Sequence, residues 1–172
     1  MDRFVVVFEN APLDPPGWFK EACLAAGLTL VDNEAIATAM SKNEESRRAL
    51  LSAESGFGSE PKVLAPHYRA ALDKVAAGKS RLALHGSAWL QYVSPVAACI
   101  LDFSGLESER AKGRPGMTRQ QVEARVEAIK KVVRDRAKEH LADDRILELA
   151  VGGDEKAKGE QIARLIEGLG AR

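Results

Sequence analysis

The sequence predicts a three-layer α/β sandwich built on a mainly parallel five-stranded sheet. Two observations carry that reading. The run "FVVVF" (Phe4 to Phe8) is short, continuously apolar and rich in β-branched residues, as in a strand buried on both faces. Four further short apolar runs follow, and strands alternate with helical segments along the whole chain, which argues a parallel sheet covered on both sides.

The elements follow in order. After the first strand, Asp14 stands before Pro15, which suits an N-cap followed by the first helical residue. That helix runs to about Ala26 and stops at Gly27, a natural left-handed terminator. "LTLV" (Leu28 to Val31) is the second strand, and Asp32 or Asn33 caps a helix through "EAIATAM". Residues 42–61 read as a short charged helix and a mobile glycine- and serine-containing loop. A helix from about Lys62 to Ala77 stops at Gly78. "RLALHG" (Arg81 to Gly86) and "AACILDFS" (Ala97 to Ser104) are the third and fourth strands. "LESERAK" is helical and "GRPG" breaks it. Thr118 then caps a long helix to about His140, with an apolar stripe of Val122, Val126, Ile129 and Val133. "RILELA" (Arg145 to Ala150) is the fifth strand, and Asp154 to Leu169 the closing helix.

With 172 residues, 45% of them hydrophobic, the chain suffices for one well-packed domain, and no internal repeat or boundary divides residues 1–172. Its 25 basic and 25 acidic residues balance, which argues against a protein built for nonspecific binding to nucleic acid or anionic membranes. Cys23 and Cys99 sit in apolar contexts with no second Cys or His at ligand spacing, so they read as reduced core thiols and no metal site is expected. The first residues do not form a signal peptide, and no segment approaches the roughly 20 apolar residues that span a bilayer. A soluble, cytoplasmic protein is expected.

The corner after the first strand, "ENAPLDPPGWFK", is where many α/β proteins cradle a phosphate on the N–H groups of a helix N-terminus. Here Asp14 is expected to accept from those groups, and Pro15 and Pro16 remove two donors. Lys20 is the one cation that an altered anion site at this corner would use. The only literal "GKS", Gly78 to Ser80, follows a helix and precedes a strand, the reverse of a phosphate loop, and Asp73 stands where its first glycine belongs. Gly78 is therefore read as a helix stop and Lys79 as solvated.

"SERAKGRPGMTRQ" collects Arg110, Lys112, Arg114 and Arg119 around a turn, either a phosphate-binding cluster or a solvated basic surface. Arg134 and Arg136 continue the basic theme, blunted by Asp135 and Glu139. Glu9, Asp14, Asp32, His85 and Ser87 lie on the carboxyl edge of the strands, where open parallel sheets bind ligands. A triad of Ser87, His85 and Asp32 or Asp102 lacks the G-x-S-x-G nucleophile elbow. His67 and His140 fall on helices as ordinary surface or boundary residues.

The order of these pieces resembles the small P-loop nucleotide kinases, especially the cytidylate-kinase-like branch, over nearly the whole chain. "AAGLTLVDNEAIATAM" is similar to that family's second strand and following helix. "VAAGKSRLALHGSA" resembles the segment holding its third strand. "ILDFSGLESERAKGRPGMTRQQVEARVEAIKKVVRDRAKEH" resembles its fourth strand, lid and long helix, and "RILELAVGGDEKAKGEQIARLIEGL" its last strand and helix. The resemblance implies P-loop-kinase-like topology, with Arg110, Arg114 and Arg136 at the positions of lid arginines. The Gly-Pro-Pro-Gly-Ser-Gly-Lys-Ser type of loop is missing. Laid on without gaps, it places Pro15 and Pro16 at the Lys and Ser positions. A shifted frame uses Lys20 as the lysine but puts Asp14 and Phe19 at glycines and Glu21 at the Mg²⁺-binding hydroxyl. No standard Mg-ATP site is evident and the cofactor is unknown. The substrate-contacting Arg after the third strand is also missing, Ser87 standing in that turn.

The expected function is that of a non-catalytic or regulatory nucleotide-kinase-like domain with a lost phosphate loop, binding a nucleotide, a small phosphorylated ligand or a protein partner. One alternative is an active phosphotransferase using Lys20 with Arg110, Arg114, Arg119 and Arg136. Another is a structural homodimeric module using exposed Trp18, Phe19 or Trp89. Neither nucleic acid nor membrane is an expected partner.

Overall fold

β1 (Phe4–Glu9) lies in the middle of the sheet, hydrogen-bonded in parallel to β3 (Arg81–His85) on one side and β4 (Ala98–Leu101) on the other. β2 (Thr29–Val31) and β5 (Ile146–Glu148) close the two edges, giving the order β2-β3-β1-β4-β5 with every pairing parallel. The computed structural model describes residues 3–9, 15–31, 33–54, 61–85 and 89–170. Expectations about Asp14, Asp32, Ser87, the loop at 55–60 and the Trp89 side chain lie outside the described residues.

Alternation along each strand sorts the core into two layers. Val5, Val7, Leu82, Leu84, Cys99 and Leu101 face one side. There they meet α2 (Asn33–Ser41), α4 (Pro61–Val75), α6 (Ser104–Lys112) and α7 (Arg119–His140) through residues such as Ile36, Met40, Leu72, Leu106 and Val126. Val6, Phe8, Ala83, Ala98 and Ile100 face the other side, against Phe19 and Cys23 of α1 (Gly17–Ala25) and Ile162 and Ile166 of α8 (Glu155–Gly170). The result is the expected three-layer sandwich. Two short helices complete the first face: α3 (Glu44–Glu54), capped by the Asn43 side chain on the Ser46 N–H, and α5 (Trp89–Val93). Tyr92 of α5 stacks on Tyr68 of α4 at 4.5 Å.

The helix ends follow their local chemistry. Gly27 and Gly78 adopt φ of 67° and 74°, the left-handed conformation expected of them as helix stops. Thr118 forms a full capping box with Gln121, its hydroxyl accepting from the Gln121 N–H and the Gln121 amide accepting from the Thr118 N–H.

The structure corrects three expectations. α1 begins at Gly17, with Pro16 in the capping position and no side-chain cap from it, where the sequence reading starts the helix at Pro15. The reason is local: Pro15 precedes another proline, whose ring disfavours helical dihedrals there, and the chain stays extended through Pro16 (φ −64°, ψ 157°). The buried stripe of α7 is Val122, Val126, Lys130, Val133 and Ala137, with Lys130 in the place expected for Ile129, which is only partly buried. Phe19 is a core residue, not an exposed one. α5 was not anticipated, because five residues are too few for a helical period to register.

Removing the cap tests the long helix. Thr118→Ala is expected to lower unfolding free energy by about 0.5–2 kcal/mol in a denaturant titration. An unchanged midpoint would contradict the role of the capping box.

Candidate functional site

In an open parallel sheet, a ligand crevice forms where the connections of neighbouring strands leave in opposite directions. β1 leads through α1 on one face towards β2, whereas β4 leads through α6 and α7 on the other face towards β5. β1 and β4 are adjacent, so the crevice lies at their carboxyl ends, at Glu9 and Asp102. Both are buried, at 1% and 9% exposure. The Asp102 N–H donates to the Glu9 carbonyl at 3.2 Å, and Asp102 Oδ1 accepts from the Ser104 N–H at 3.0 Å, holding the turn into α6. His85, at the same edge of β3, is also buried and packs its ring 4.7 Å from Phe19 and 6.3 Å from Phe8. Of the residues expected on the cleft edge, Glu9 and His85 are therefore there, and Asp102 joins them.

A phosphate loop hands its Lys and Ser/Thr to the start of the helix that follows the strand. The first three residues of α1 are Gly17, Trp18 and Phe19. Phe19 is 2% exposed and meets Phe8 edge-on at 4.2 Å. Trp18 is half-buried, with the Lys158 ammonium 5.7 Å from its ring. These side chains belong to the hydrophobic layer under α1. Lys20 is exposed on the first turn.

The basic cluster sits around α6 and the start of α7, and much of its charge is already paired. Arg110 bonds Glu127 and lies 3.4 Å from Glu107. Arg114 and Arg125 share Glu109, at 3.4 and 3.1 Å. Lys130, buried in the α7 stripe, bonds Glu107 and lies over the Phe103 ring. Arg134 lies over the same ring and grips Glu148 with two hydrogen bonds, at 2.8 and 2.6 Å. Arg136 reaches α5, where the Gln91 amide, oriented with its oxygen towards the guanidinium, accepts at 2.7 Å. The pairing lowers the carboxylates: the Lys130 hydrogen bond holds Glu107 below its ordinary value, the Arg125 bond does so for Glu109, and the Arg134 bond for Glu148.

Between α6 and α7 a cleft of about 560 Å³ remains, lined by Arg110, Lys112, Arg119, Met117 and Glu107 among others. Lys112 and Arg119 are exposed and make no ion pair with a described residue. The buried Nε of Arg110 has no hydrogen-bond acceptor among the described residues. Three cations thus face one carboxylate here. The structure brings Arg110 and Arg119 to one cleft, while Lys20 lies on α1 and Arg136 against α5. Arg110–Glu107 is an i,i+3 pair within α6, but Arg110–Glu127 and Arg125–Glu109 span the α6–α7 turn, so helix-spacing rules could not show those two.

Elsewhere, Ser46 Oγ and His67 Nδ1 lie 3.0 Å apart and tie α3 to α4, a bond between a buried serine and a half-buried histidine. Burial pushes the Cys23 thiol up to about 12 and raises that of Cys99, so both are poor nucleophiles at neutral pH. Among the described residues no cluster of His, Cys, Asp and Glu could hold a metal ion, and no helix is long and apolar enough to cross a membrane. Compared with known proteins, the chain matches no family model and no characterised sequence.

Two outcomes test this description. Phe19→Ala removes a core side chain and is expected to cost about 3–5 kcal/mol of stability, read from denaturant unfolding; a loss below about 1 kcal/mol would place Phe19 outside the core. Glu148, whose folded value lies below its ordinary 4.5, contributes stability that is present above that value and is lost as pH falls through the depressed one. The melting temperature of the native chain should exceed that of Glu148→Gln at neutral pH, and the gap should close as the pH falls below the ordinary carboxylate range. A gap independent of pH would refute the ion pair's role.

Proposed function

We propose that the protein is a nucleotide-kinase-like domain without a working phosphate loop, which binds a nucleotide or another small phosphorylated molecule and does not transfer its phosphate. The observation that carries this reading is the start of α1, where the chemistry needs a lysine and a hydroxyl and the chain supplies Trp18 and Phe19, the latter built into the core. The first three residues of α1 offer a Mg²⁺-bound triphosphate neither of these groups. The support for an anionic ligand is the α6–α7 cleft, where Lys112 and Arg119 are uncommitted and Arg110 lines the wall. Guanidinium groups suit this task because their planar fork matches phosphate oxygens. The paired carboxylates fit the same reading. Glu107 and Glu127 hold Arg110 in place without ligand, and a phosphate would compete with them for it.

Calorimetric titration with ATP, CTP and CMP, with and without Mg²⁺, tests the proposal. The expected result is binding that Mg²⁺ does not strengthen, that falls at least tenfold in the double variant Lys112→Ala/Arg119→Ala, and that Lys20→Ala leaves unchanged. Tight Mg²⁺-dependent ATP binding would refute the loss of the phosphate loop. The absence of binding to all three nucleotides and to inorganic phosphate would refute the ligand class.

A further inference from the structure

The sheet face covered by α1 and α8 carries a groove that the proposed function does not use. The two helices approach each other at Gly159, where an added Cβ would lie 3.6 Å from that of Ala22. Around this approach a cleft of about 580 Å³ opens. Its floor is apolar and mostly small: Trp18, Ala22, Ala25, Gly159 and Ala163. Glu21, Asp154, Glu155 and Glu160 also line it, with Lys156 as the only cation of the lining.

None of these four carboxylates makes an ion pair with a described residue. Around α7, by contrast, Glu107, Glu109, Glu127 and Glu148 are all paired. The groove therefore combines an apolar floor with four carboxylates against one lining cation, Asp154 among them also accepting from the Lys156 N–H at 3.4 Å where α8 begins. Its aromatic residue already accepts a cation, since the Lys158 ammonium lies 5.7 Å from the Trp18 ring.

We infer that this groove docks an amphipathic, lysine- or arginine-bearing helix of a partner protein. The small floor residues let apolar side chains of such a helix approach closely, and the carboxylates meet its cations. α1 has nine residues, so the groove matches about two to three turns of helix. A second copy of this chain is a poorer occupant. On α7, its longest described helix, Arg125, Lys130, Lys131 and Arg134 are already engaged by carboxylates and Arg136 by Gln91. The cations without a partner among the described residues, Arg119 and Lys138, lie near opposite ends of the helix, farther apart than the groove is long. The groove repels nucleotide phosphates, so the inference stands apart from the α6–α7 cleft.

The probe is a synthetic 18-residue helical peptide with leucine and alanine on one face and lysine and arginine on the other, titrated into the full chain. Amide shifts in NMR spectra are expected to be confined to α1 and the first turns of α8. Affinity should fall about tenfold in Glu21→Gln/Glu155→Gln/Glu160→Gln, and further as salt is raised. Ala25→Lys, at an exposed position, is an independent variant expected to weaken binding as strongly. Nucleotide binding should be unaffected by either variant, which separates failure here from failure at the other cleft. The inference is overturned if the shifts map elsewhere or if a lysine peptide lacking the apolar face binds equally well. Self-association of the chain that the triple substitution abolishes would also overturn it, by making a second copy the occupant.

Discussion

The burial of β1 on every side is the constraint from which the rest of the molecule follows. Its backbone groups are satisfied by β3 and β4, and its side chains are split between two separate cores. A strand in that position needs helices on both faces. Parallel pairing in turn requires long crossovers, with Val5 and Val7 under one helical layer and Val6 and Phe8 under the other. Because the connection of β1 goes one way and that of β4 the other, the same constraint opens the crevice at Glu9 and Asp102. Core and candidate site are two ends of one strand.

The chain leaves that strand through a corner dominated by prolines. Pro15 and Pro16 hold the backbone extended, so the first free turn of α1 begins with Gly17, and Trp18 and Phe19 fall inward. Phe19 then seals the space between Phe8 and His85. The start of α1 gains stability from this aromatic burial.

Charge is distributed with equal consequence. A balance of 25 cations and 25 anions conceals two different surfaces. On the α6–α7 side acids and bases interlock across the turn, with Lys130 buried among them and Phe103 beneath two cations. Removing one member of such a network strands its partner, so the pairs orient the two helices more than they add net stability. On the α1–α8 side Glu21, Asp154, Glu155 and Glu160 stand beside small apolar residues with no ion pair to a described residue. Net charge alone says nothing of either arrangement.

The sequence by itself determined the fold class and most of the element order, because those depend on local terms. "FVVVF" reads as a buried strand, Gly27 and Gly78 as helix ends, and Thr118 as a helix start. It also determined that no lysine-hydroxyl pair follows the first strand, which needs no coordinates to see. The start of α1 at Gly17 departs from the Asp14–Pro15 reading because the second proline disfavours helical dihedrals at Pro15. Tertiary structure alone decided that Lys130 is buried, that Glu107, Glu109 and Glu127 hold the basic cluster, and that α1 and α8 enclose an acidic groove. Each of these joins residues from separate helices. Their energies come from distance and desolvation across the fold, and no spacing along the chain encodes either quantity.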